Sequence, residues 1–228
     1  MPGRSEGLLL VDKPAGMTSH DIVQLARRVY AERSIGHLGT LDPFATGLLL
    51  LLLGRATRLA NFLDTEPKVY DATIRFGAET DTDDCTGTVV RETNLPAKGA
   101  IRTAIAAMTG RISQVPPAFS AKSVDGTRAY AAARRGEPLE LEPVDVEVHD
   151  WTVHREVESE IDVTISCGGG TYIRALARDL GRATASSAHL AALRRTRCGS
   201  FDVAQAATVD ALKNNPPSLR GLRVVADV

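Results

Sequence analysis

Six consecutive leucines occupy positions 48–53 and stop at Gly54. A run this short cannot cross a bilayer, which takes about 20 apolar residues as a helix. It fits a strand covered on both faces, so the rest of the chain must supply apolar layers above and below it. The composition allows that: 228 residues, 43% of them hydrophobic, can bury one good-sized core.

Directly before the run lies Gly36-His37-Leu38-Gly39-Thr40-Leu41-Asp42-Pro43-Phe44-Ala45-Thr46-Gly47. Its glycines reach backbone conformations that other residues adopt only at a cost, and Pro43 fixes one φ just after the acid. An aspartate held in such a loop beside a core strand is a candidate catalytic carboxylate. The same Asp-Pro pair equally suits an ordinary turn or helix cap, and local chemistry leaves both readings open.

Formal net charge is −1, so a nucleic-acid partner has to be argued from local clusters. Between 172 and 199, six arginines face one aspartate, a net of +5; residues 101–136 also carry a net of +5, and 137–162 hold ten acids against Arg155. Cys85, Cys167 and Cys198 are odd in number and lack metal-ligand spacing, so neither a disulfide framework nor a metal site is expected. The first residues read as a short strand followed by Asp12 and Lys13, with no signal peptide or membrane segment. A cytoplasmic protein is the expectation.

Along the chain, strands are predicted at 8–11, 69–76, 144–153 and 160–167. Helices are predicted from Thr18 or Ser19 to Tyr30, over 57–63, over 101–109, and from Tyr172 to about Arg182. Residues 80–84 form an acidic turn without the ligand register of a calcium loop. Residues 116–143 mix prolines, glycines, basic residues and alanines, as an inserted mobile arm would. On the last predicted helix Arg174, Arg178 and Arg182 recur every fourth residue. They would either track a phosphate backbone or face water while Leu176 and Leu180 face the core.

Four blocks together carry a resemblance: Gly7 to His20, the Asp42 loop, Lys68-Val69-Tyr70, and Gly169-Gly170-Thr171-Tyr172-Ile173-Arg174. In this order they resemble the bacterial tRNA pseudouridine-55 synthases, from about residue 7 to about residue 210. The resemblance implies an α/β fold of the α+β type, a mixed, largely antiparallel sheet with surrounding helices. It implies a catalytic domain over 1–210, with 116–143 as its RNA-binding arm and 211–228 as a tail.

It also implies the reaction: a T-loop uridine of tRNA is flipped out, its N1–C1′ bond is broken and the base is rejoined through C5, without cofactor or metal. Asp42 would be the essential acid, as nucleophile or as base. Arg174 would hold it ionised, and Tyr70 would stack on the uracil and accept the C5 proton. Tyr172 and Leu193 match pocket positions, and His37 matches a residue that fills the space left in the RNA. Lys13, Arg58 and Asp84 match positions near the RNA, and Lys122, Arg128, Arg134 and Arg135 lie on the closing arm. The implied partner is the T-arm stem-loop, bound by a monomer with no membrane and no obligate protein partner.

Two departures stand out. Ser34 replaces the family's usual lysine or arginine two residues before Gly36-His37, removing a phosphate contact. The chain also stops at Val228, where longer members continue into a C-terminal RNA-binding domain, so that domain is expected to be missing. Other readings are a relative acting on ribosomal RNA through guide particles and, in a different class, a tRNA-folding chaperone. A free-nucleoside glycosidase fits poorly, for want of a second placed carboxylate.

Overall fold

The computed structural model describes residues 5–120, 122–124, 126–137 and 139–221; the arm and tail predictions that fall on other residues lie outside it. Strands are β1 (Gly7–Lys13), β2 (Ile35–Leu38), β3 (Thr46–Leu53), β4 (Lys68–Phe76), β5 (Ala78–Thr80), β6 (Val89–Glu92) and β7 (Gly110–Gln114). They continue as β8 (Ser123–Val124), β9 (Thr127–Arg128), β10 (Val144–Val157), β11 (Glu160–Cys167), β12 (Ala188–Cys198), β13 (Phe201–Asp202) and β14 (Ala207–Thr208). Helices are α1 (Ser19–Tyr30), α2 (Ala100–Ala107), α3 (Ala129–Ala133), α4 (Ile173–Ala183) and α5 (Val209–Asn214), with 3-10 turns at Gly54–Phe62 and Val203–Gln205.

The chain divides into two compact units, residues 1–68 with 194–228, and residues 69–193. In the first, β3 is the strand that the leucine run requires. Antiparallel β1 lies along one edge, while β2 and then the parallel end of β12 share the other. Successive side chains of a strand point to opposite faces, so Leu49, Leu51 and Leu53 join a cluster with Ile22, Val23, Ala26 and Leu212. Leu48, Leu50 and Leu52 join Leu8, Leu10, Ala56 and Cys198 on the other side. Helix α1 covers the first face and begins with a capping box, in which Thr18 Oγ1 accepts from the Asp21 amide and the Asp21 carboxylate accepts from the Thr18 amide.

Gly47 sits where β3 meets β12, at φ 102°, and a Cβ there would lie 2.2 Å from the Arg195 carbonyl oxygen. Gly47→Ala should therefore destabilise the fold by about 2–4 kcal/mol, through positive φ and an unavoidable backbone clash. A urea midpoint unchanged from the parent would contradict this.

In the second unit β4, β11, β10 and β7 follow one another in the sheet, with β10 antiparallel to both β11 and β7. Tyr70, Ala72, Ile74 and Phe76 of β4 are buried in alternation, as are Ile161, Val163, Ile165 and Cys167 of β11. α2 packs on α4. Within the segment expected as an arm, β8 and β9 pair antiparallel and α3 follows, its Ala129 and Ala132 buried.

The predicted strands and helices at 8–11, 18–30, 69–76, 160–167 and 172–182 are present, with ends shifted by a few residues. The segment expected as a helix over 57–63 is instead a 3-10 turn starting at Gly54: the Thr57 hydroxyl donates to the Gly54 carbonyl at 2.8 Å and competes for the acceptor an α-turn would use. The helix expected over 101–109 ends at Ala107, and Gly110, at φ 93°, opens the unanticipated strand β7.

Candidate active site

Asp42 lies in the first unit, on the loop between β2 and β3, and the backbone on both sides of it is tied down. The Ser19 hydroxyl accepts from the Leu41 amide at 2.9 Å and donates to the Leu41 carbonyl at 3.1 Å. The Pro43 carbonyl accepts from the Gly16 amide at 2.8 Å and from Lys13 Nζ at 3.3 Å. The backbone on either side of Asp42 is thus fixed by its neighbours. This is why the Gly7 to His20 block and the Asp42 loop belong together.

Lys13 is fully buried, and its ammonium also donates to the carbonyls of Pro14 and Met17. Burial lowers its pKa to about 8, against the opposing pull of the Asp42 charge. The unfolded chain, with an ordinary lysine near 10.5, then binds more protons than the fold between pH 8 and 10.5, so this group's contribution to stability rises with pH there. Stability of the wild type relative to Lys13→Met should increase between pH 7.5 and 10; a flat or falling difference would refute the assignment.

Arg195, only 1% exposed, was missed by sequence reasoning except as part of a charge tally. It spans the loop, donating from Nε to the Leu48 carbonyl and from Nη2 to the Gly39 carbonyl, both at 2.8 Å. Only the alternation of a strand could have pointed Arg195 inward from its neighbour Arg194, and β12 was not anticipated because its charged residues mask that pattern. His37 is half-buried on β2, and its Nδ1 is shielded with no hydrogen-bond partner among the described residues. Burial, with Arg195 and His20 nearby, lowers its pKa and favours the neutral ring. Arg58 is exposed on the 3-10 turn.

The second unit carries Tyr70, Asp84, Tyr172, Arg174 and Leu193. Tyr70 and Leu193 are buried, and Tyr172 is half-buried. Gln114, fully buried, holds Tyr172 at both backbone groups: its Oε1 accepts from the Tyr172 amide at 2.9 Å and its Nε2 donates to the Tyr172 carbonyl at 3.2 Å. Sequence reasoning gave Gln114 no role.

The three arginines of α4 neither lie open to a phosphate backbone as a row nor all face water, which corrects both alternatives drawn from their spacing. Arg174 and Arg178 are buried at 4% and 7% exposure, and each arginine meets an acid on residues 79–84. Arg174 lies 3.7 Å from Asp84 and donates to the carbonyls of Thr82 and Phe119, both at 2.9 Å. Arg178 donates to Asp83 and to the Val115 carbonyl, both at 2.8 Å. Arg182 pairs with Glu79 through two nitrogens. A four-residue spacing puts the guanidinium groups on one side of the helix, and the acidic turn supplies matching charges. That turn is structural: Asp81 accepts from the Thr88 amide, and Asp84 accepts from Thr82 and Thr86. Burial raises the Asp83 pKa to about 6, even with Arg178 and Arg174 opposing it.

On the arm, Lys122, Arg128, Arg134 and Arg135 are all exposed. The Arg134 guanidinium lies 5.7 Å from the centre of the Tyr130 ring. No described helix is long and apolar enough to cross a membrane.

The sequence pattern of the TruB family pseudouridylate synthase N-terminal domain matches residues 27–173, the stretch that includes the anchored Asp42 loop. The chain belongs to the TruB family. The pattern of the tRNA pseudouridylate synthase B C-terminal domain matches residues 174–217. The tRNA pseudouridine synthase B of Thermobifida fusca is 48% identical over 91% of this chain and 74% of its own length. That of Arthrobacter sp. is 49% identical over 90% of this chain and 70% of its own. Among solved structures, a chain of a Cbf5-Nop10-Gar1 complex superposes with a TM-score of 0.70 at 26% identity, over 92% of this chain and 56% of that one. This chain therefore spans about half the length of that neighbour. The mixed α/β architecture is that of a pseudouridine synthase.

Proposed function

We propose that this chain is a tRNA pseudouridine synthase that isomerises the T-loop uridine, acting as a cytoplasmic monomer. The observation that carries the reading is the identity of 48–49% to proteins named tRNA pseudouridine synthase B over nine-tenths of the chain. The lower identity, 26%, to the chain from the Cbf5-Nop10-Gar1 complex favours the target named for the more similar relatives, tRNA.

A uridine inside a folded loop is reached only by flipping it out of the stack. His37, a neutral ring on β2, would fill the vacated space. Tyr70 and Tyr172 would sandwich or edge the uracil, and Leu193 would close the pocket. As nucleophile, the Asp42 carboxylate bonds to C1′ while the N1–C1′ bond breaks, and it is displaced when C5 of the turned base bonds to C1′; as base, it takes a sugar proton while that bond breaks and returns it when C5 bonds to C1′. In either route the C5 proton leaves by way of Tyr70 and N1 takes up a proton, so atoms balance and nothing is oxidised. Arg174 is the cation assigned to keep Asp42 ionised. Arg58 and the arm cations Lys122, Arg128, Arg134 and Arg135 would contact phosphates in a salt-sensitive way. Lys13 and Asp84 would act through the shape of the site, given their burial.

The test is tritium release from a T-arm transcript carrying C5-labelled uridine, with the product located by carbodiimide-primer extension. Release at the T-loop uridine is expected. RNA binding without release would overturn the reading in favour of a chaperone.

A further inference from the structure

The 3-10 turn Gly54–Phe62 buries Ala56 and leaves Arg55, Arg58, Asn61 and Phe62 exposed. Phe62 is 83% exposed, the highest value for a large hydrophobic side chain among the described residues. With three residues per turn, Arg55, Arg58 and Asn61 stack in one outer row, and Phe62 follows at its end. Among the described residues no carboxylate pairs with either guanidinium.

The position of this row is defined. The turn packs on β1, β2 and β3. Its start is tied to Ser34: the Gly54 amide donates to the Ser34 carbonyl at 2.8 Å, and Ser34 Oγ lies 3.5 Å from both the Gly54 carbonyl and Thr57 Oγ1. Ser34 directly precedes β2, the strand of His37. Arg55 therefore stands one residue from the contact point of Ser34.

An unpaired row of guanidinium groups beside an exposed ring contributes nothing to the core. It matches what single-stranded RNA needs, cations for phosphates and a flat ring for a base. A second copy of this chain is a poor occupant, because its own arginine row would meet this one. We infer that the outer face of this turn is an additional RNA-docking surface, in which Arg55 takes the phosphate contact that Ser34 cannot make and Phe62 stacks on a neighbouring unpaired base. The inference rests on the synthase reading above.

The test uses the full chain and a T-arm stem-loop RNA, with Kd measured by filter binding across a salt series. Arg55→Ser should reduce the slope of log Kd against log salt by about 0.7–0.9, the value of one phosphate contact. Adding Ser34→Arg to that variant should restore the slope. Phe62→Ala should weaken binding by about 5- to 150-fold, the equivalent of stacking one base; Phe62→Tyr should not, and kcat at saturating RNA should hold in both. Active wild type with Arg55→Ser and Phe62→Ala binding as it does would overturn this inference alone, whereas inactive wild type would overturn the synthase reading. A wild-type dimer in sedimentation that Phe62→Ala dissociates would also overturn it, by assigning the face to a second copy.

Discussion

Asp42→Asn is expected to lower pseudouridine formation by roughly 10⁴-fold or more while leaving RNA binding nearly intact. The amide has the shape of the carboxylate without its charge, and neither the nucleophilic nor the basic route survives that loss. The fold should not suffer, because the loop is held through the backbone of Leu41 and Pro43 by Ser19, Gly16 and Lys13 rather than through the Asp42 side chain alone. Tritium release and Kd measured on one preparation separate the two effects. A variant retaining a few per cent of wild-type turnover would show that another group is the catalyst.

Arg178→Met should be the most damaging of the α4 substitutions for stability. It leaves Asp83 buried without its closest cation and frees the Val115 carbonyl as well. Removing one member of a buried pair costs about 3–5 kcal/mol, which for a chain of this size lowers Tm by about 6–20 °C. The Asp83 pKa, already raised to about 6 by burial, should climb further, so part of the loss is recovered by protonation at low pH. The deficit relative to wild type should accordingly shrink from pH 7.5 to pH 5. A deficit independent of pH would mean that the lost hydrogen bond to Val115, and not the stranded charge, accounts for the damage.

What could be read from the sequence follows from how local each signal is. The leucine run and the Thr18 cap are decided by adjacent residues, and both the buried strand and α1 appear as expected. The Asp42 loop was legible as a rigid turn, whereas its anchors Ser19, Lys13 and Gly16 come from an earlier strand-turn-helix and become visible only in the fold. Arginines at 174, 178 and 182 revealed their common side but not what lay opposite, since Glu79, Asp83 and Asp84 are about a hundred residues away. Arg195 and Gln114 were missed for a shared reason: a polar side chain is assigned to the surface unless something shows it saturated, and here the partners are distant backbone groups.

Arg194 and Arg195 are adjacent, yet Arg194 forks onto the Asp12 carboxylate while Arg195 reaches inward to two carbonyls. A slip of β12 by one residue would bring either Leu193 to the Asp12 carboxylate or Thr196 to the Gly39 and Leu48 oxygens, so one of the two places would lose its arginine. Registry along this strand is therefore proofread by charge as well as by packing.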